Sequence, residues 1–91
     1  MSTKKTNSLK HFREEIDTVD EQIIALLAKR MEVVKKVGVY KKEHEIPPLD
    51  PKRWQDVLTT KRQKAKALNL STDLVEDIYN RIHKEALLIE R

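Results

Sequence analysis

The chain contains no cysteine, so neither a disulfide framework nor a thiolate-held metal is open to it, and nothing calls for an oxidising compartment. It has one glycine and three prolines, too few for the many tight turns of a sheet protein or for a glycine-rich loop that cradles phosphate. Aromatic residues are scarce as well: one Trp, two Tyr and one Phe. No segment approaches the roughly 20 apolar residues of a membrane span. The opening MSTKKTN lacks the apolar run of a signal peptide. The three histidines, His11, His44 and His83, are scattered, none with a second His at helical spacing, and read as surface or boundary residues with no metal cluster among them. These absences lead to the expectation of a soluble, cytoplasmic, all-α protein without metal or cofactor.

What the chain does have is charge. Of its 91 residues 37% are charged, and 19 basic against 15 acidic residues leave a net charge of +4. That mild excess favours anionic partners without choosing among nucleic acid, phosphate and small carboxylates. Residues 1–91 make at most one domain, with residues 1–7 polar and expected to fray. A single chain of this length buries only a modest core, and pairing with a second copy would enlarge it.

From about Ser8 to Glu45, apolar residues recur at steps of three and four: Leu9, Phe12, Ile16, Val19, Ile23, Leu26, then Val34 and Val37. This is the period of one helix face. Asn7 or Ser8 can cap the helix, and Gly38 interrupts it only mildly, by about 1 kcal/mol relative to alanine. The β-branched run Val33, Val34, Val37, Val39 also permits a strand. Ile46-Pro47-Pro48-Leu49 is expected to end the first helix. Asp50-Pro51 starts a second with an N-cap and a proline at the first position, and Asn69 is its stop. Ser71 opens a third helix, with Asp73 in its first turn and apolar positions Val75, Ile78, Tyr79, Ile82, Ala86 and Ile89. At about 1.5 Å per residue the first helix is on the order of 55 Å long, more than two shorter helices of one chain can cover. A partner subunit is implied.

Arg30 and Lys41 stand where the long helix calls for apolar residues. The four positions that meet Arg30 along the helix are Leu26, Leu27, Val33 and Val34. An arginine there either snorkels to water or meets an anion from another element. Lys41 lies about 20° round the helix from Arg30 and about 16 Å along it, so both can reach one bound anion. The ordinary alternative for Lys41 is a surface pair with Glu45. Arg13 is about 25 Å below Arg30 and roughly 100° away, out of reach within one chain. In a dimer with antiparallel long helices it comes alongside the Arg30 and Lys41 region of the other copy. Its ordinary alternative is a surface pair with Asp17.

The pattern of Arg13, Ile16-Asp17, Asp20, Ile24 to Leu27, Arg30, Val37-Gly38, Lys41, Asp50 and Arg53 resembles the all-helical, type II chorismate mutases, over nearly the whole chain from about Leu9 to Glu90. The resemblance implies three helices per chain in an intertwined homodimer, and conversion of chorismate to prephenate in one pericyclic step without nucleophile, metal or cofactor. It implies that Arg30 and Arg13 of the partner clamp the carboxylates, that Lys41 donates to the ether oxygen and a carboxylate, that Arg53 lines the site, and that Asp50 contributes near the ring hydroxyl through its backbone. No nucleic acid or membrane partner is then expected. Family members of this class are often fused to other aromatic-pathway enzymes.

Three positions depart from the family pattern. Trp54 stands where relatives often have a Glu that accepts from the ring hydroxyl; a core aromatic is the ordinary reading of it. Ala86 replaces a Ser that offers a hydroxyl to a carboxylate, a mild loss. Glu90 replaces a Gln that donates to the ether oxygen, and only a protonated Glu can donate. A dianionic substrate and burial favour the protonated form and Lys41 opposes it; the first two are expected to win, giving activity that rises toward acidic pH. Glu90, next to the last residue, can equally be solvated. The same scaffold also suits an isochorismate pyruvate lyase or a mutase for the 4-amino analogue of chorismate. Lys52, Arg53, Lys61, Arg62, Lys64 and Lys66 on the second helix keep a basic nucleic-acid or protein-binding module in view.

Overall fold

The computed structural model describes the backbone of residues 2–91 and the side chains from Ser8 onward. Three helices follow one another: α1 Ser2–Glu43, α2 Pro51–Ala67 and α3 Thr72–Glu90. Among the described residues there is no strand. None of these helices is long and apolar enough to cross a membrane. The chain divides into two units, Met1–Glu32 and Val33–Arg91, and α1 contributes to both.

In the first unit every described residue is helical. The expected fraying of residues 1–7 and the cap at Asn7 fall outside the residues whose side chains are described; Ser8, the other candidate cap, lies inside α1. The apolar face has the predicted period and stands in solvent in the single chain, from 49% exposed at Ile23 to 65% at Leu26, with Leu9, Phe12, Ile16 and Val19 between. Local contacts decorate the polar side: Thr18 Oγ1 donates to the Glu14 carbonyl at 3.1 Å, and His11 Nε2 lies 2.7 Å from Glu15.

The second unit holds the core, made of Val34, Val57, Leu58, Ala65, Ile82 and Ala86. The strand reading of Val33–Val39 is rejected: the buried positions there are Val34 and Gly38, followed by half-buried Lys41. Steps of four and three are those of a helix, whereas a strand buries alternate residues. Helices α2 and α3 pack on each other in antiparallel sense, since Trp54 meets His83, Lys61 meets Tyr79 and Arg62 meets Glu76.

The helix ends follow local chemistry. Asp50 caps α2 by accepting from Arg53 N–H at 3.1 Å, with Pro51 as the first helical residue. Ser71 caps α3 by accepting from Leu74 N–H at 3.2 Å. Asn69 stops α2 as expected, in the left-handed region at φ 57°. The Leu70 N–H returns to the Ala65 carbonyl and the Asn69 N–H to that of Lys66, the two bonds of a Schellman motif. The end of α1 corrects the sequence reading. It closes at Glu43, ahead of Pro47, through the same motif: Glu45 takes φ 56°, its N–H returns to Lys42 and the Ile46 N–H returns to Lys41. The prolines follow a helix that has already stopped.

Candidate active site

The last turns of α1 and α3 meet within the second unit, and Gly38 marks the closest approach. A Cβ built on Gly38 would stand 3.0 Å from the Glu90 Cα and 3.5 Å from its carbonyl oxygen. One turn further along α1, the Lys41 ammonium lies 2.6 Å from Glu90 Oε1 and donates to the Pro48 carbonyl at 2.7 Å. Lys41 is therefore no surface partner of Glu45. It ties α1, the α1–α2 link and the end of α3 to one nitrogen. The Pro48 bond takes one of an ammonium's three N–H donors, so a further acceptor can be met.

Glu90 is a buried charged residue, 8% exposed, which overturns the alternative of a solvated penultimate side chain. Its Oε1 makes the charge pair with Lys41 yet receives no hydrogen bond of acceptable geometry. A buried acceptor in that state costs about 1–3 kcal/mol, a cost that a donor or a proton arriving at the carboxyl would relieve. Ala86, one turn earlier on α3, is buried as well and offers no polar group.

The other predicted site residues fall into two groups. Asp50 and Arg53 begin α2, both exposed, and the Asp50 carboxylate and carbonyl accept from the Arg53 and Trp54 N–H groups. Asp50 is thus first a helix cap. Arg30, half-buried, and Arg13, exposed, belong to the Met1–Glu32 unit.

Sequence reasoning missed one feature of this region. Trp54 and His83, both half-buried, stack with ring centroids 3.8 Å apart and planes 7° from parallel. Trp54 is therefore a partly covered aromatic with a ring partner from α3. His83 stands two turns before Glu90 on nearly the same face of α3. The only signal in the sequence was the unexplained Trp beside Arg53. The basic stripe of α2 proves less available than its composition suggests: Arg62 pairs with Glu76, which accepts at 2.5 Å and raises the guanidinium pKa by that hydrogen bond and by its charge. Lys61 lies over the Tyr79 ring. Among the described residues no cluster of His, Asp and Glu could hold a metal ion.

The sequence matches the chorismate mutase type II family over residues 12–91. It is 39% identical over 79 residues to the T-protein of Haemophilus influenzae, covering 87% of this chain and 21% of that protein. It is 38% identical over 78 residues to the T-protein of Enterobacter agglomerans, covering 86% and 21%. A bifunctional chorismate mutase/prephenate dehydratase of Buchnera aphidicola is 31% identical over 85 residues, covering 93% and 22%. The chain spans about a fifth of the length of these relatives. With a match that takes in both units, all three helices and every departure noted above, this chain belongs to the chorismate mutase type II family.

Proposed function

We propose that this chain is a chorismate mutase that converts chorismate to prephenate, a step toward phenylalanine and tyrosine. The observation that carries the reading is the family match over residues 12–91. It is supported by the pair of half-buried Lys41 and buried Glu90, a cation beside a carboxyl that lacks a hydrogen bond.

In this reaction the ether C–O bond breaks as a C–C bond forms, and negative charge gathers on the departing oxygen. The protein has two tasks: to hold the flexible dianion in its reactive conformer, and to meet that charge with donors already in place. In our reading Arg30 and Arg13 of the partner subunit grip the carboxylates, for which a guanidinium fork is the matching shape. Lys41 donates to the ether oxygen with an N–H that the Pro48 carbonyl does not take. Glu90, once protonated, donates to the same oxygen. Arg53 lines the site from α2, Asp50 contributes near the ring hydroxyl through its backbone, and Ala86 leaves one carboxylate contact unmade.

The reading includes an intertwined homodimer in the cytoplasm. Its support is the apolar face of Leu9, Phe12, Ile16, Val19, Ile23 and Leu26, exposed in the single chain. The free energy available from covering it is on the order of 1 kcal/mol per half-exposed side chain. No nucleic acid or membrane partner enters, and no cofactor.

A second reading keeps the scaffold and changes the substrate to isochorismate, cleaved to salicylate and pyruvate, or to the 4-amino analogue of chorismate. Trp54, stacked on His83 beside Arg53, favours it, because an indole cannot accept from a ring hydroxyl. Incubation with each substrate and identification of products separates the two. We expect prephenate from chorismate; salicylate with pyruvate from isochorismate, and no prephenate, would reverse the order.

A further inference from the structure

We infer that Gly38 is a positioning residue for the Lys41–Glu90 pair: its missing side chain lets the last turn of α3 come close enough for the Glu90 carboxyl to reach the Lys41 ammonium. The inference rests on the mutase reading for its effect on rate, though not for the geometry itself.

A glycine inside a helix is unfavourable relative to alanine, so its presence within α1, ahead of the Glu43 end, calls for a reason. Conformation is not the reason, because no glycine has a positive φ. Space is. A Cβ at residue 38 would lie 3.0 Å from the Glu90 Cα, 3.5 Å from its carbonyl oxygen and 3.6 Å from its Cβ. The nearest of these atoms is backbone, which cannot swing aside as the end of a flexible side chain would. A methyl group there must push the α3 terminus away from α1.

The residue it would push is the one that matters. Gly38 is buried, and Lys41 follows it by three residues, on the same side of α1. The Lys41 ammonium is also held by the Pro48 carbonyl at 2.7 Å. Retreat of Glu90 therefore opens the 2.6 Å contact with no compensating shift of the ammonium. A carboxyl moved even a few tenths of an ångström from its place is a misaligned donor to a reacting oxygen, and misalignment acts on the chemical step more than on binding.

The test is Gly38→Ala in the full chain, compared in two backgrounds. With Glu90 present, kcat should fall roughly tenfold while KM changes by less than about threefold. In a Glu90→Ala background the same substitution should have almost no effect on kcat, because the backbone still shifts but the carboxyl whose placement it disturbs is gone. The 15N shift of the Lys41 ammonium should change on Gly38→Ala as it does on Glu90→Ala. Equal losses of kcat in both backgrounds, or an unchanged ammonium shift, overturn the inference. Should Gly38→Ala fail to fold, the wild-type protein still decides: a strong nuclear Overhauser contact between the α-protons of Gly38 and Glu90 supports it, and its absence overturns it. A wild type that turns over no chorismate removes the mutase reading alone, since the ammonium shift and the Overhauser contact judge Gly38 without turnover.

Discussion

In the mechanism we propose, Glu90 is the residue on which the chemistry turns. Ionised, it is an acceptor only, and beside an oxygen that is gaining negative charge it would oppose the reaction; protonated, it donates. The Lys41 ammonium lies 2.6 Å from the Glu90 Oε1. If the protonated Glu90 donates as proposed, activity should rise as pH falls from about 8 to about 5. Glu90→Gln, a donor at every pH, should flatten the profile. A wild-type profile already flat over that range would remove Glu90 from the reacting oxygen. The residue types at this site were legible in the sequence, because Lys41 broke an apolar stripe. Its neighbour Glu90 came from the family resemblance alone, since nothing in the spacing joins position 41 to position 90; in the structure that pairing forms where α3 returns to α1 at Gly38.

At the scale of elements, local chemistry was enough to place α2 and α3. Asp50-Pro51, Asn69 and Ser71 each perform the capping expected of them. The end of α1 was misassigned because Glu45 adopts a left-handed conformation that glycine favours and glutamate does not advertise. That conformation gives a direct prediction. Glu45→Gly relieves the Cβ strain at φ 56° and, after the added chain entropy of glycine, should stabilise the fold by about 0.5–1 kcal/mol in denaturant titration. A destabilised variant would mean that the Glu45 side chain makes contacts worth more than the strain. The Trp54–His83 stack lay beyond sequence reasoning for a different reason. It depends on the register in which antiparallel α2 and α3 pack, which neither helix encodes alone.

For the whole molecule, the helical period of α1 was plain in the sequence, while what covers it was inferred from length. Leu9 through Leu26 stand half exposed or more, Ile23 at 49%, and a face of that kind is expected to seek a partner. A dimer of twice 10.7 kDa should appear in sedimentation. Ile23→Glu should shift it toward monomer and lower activity with it, since Arg13 would no longer reach a neighbouring site. A monomeric and fully active wild type would remove the crossed arginine from the mechanism.

The most direct measurement is the loss of chorismate absorbance with wild type and with Arg30→Ala at equal concentration. Wild type should consume chorismate with prephenate as product. Arg30→Ala, folded by circular dichroism, should lose about 100-fold or more in kcat/KM. Wild type without turnover, or a folded Arg30→Ala variant within about threefold of it, would contradict the assignment of this helix as the floor of a chorismate-binding site.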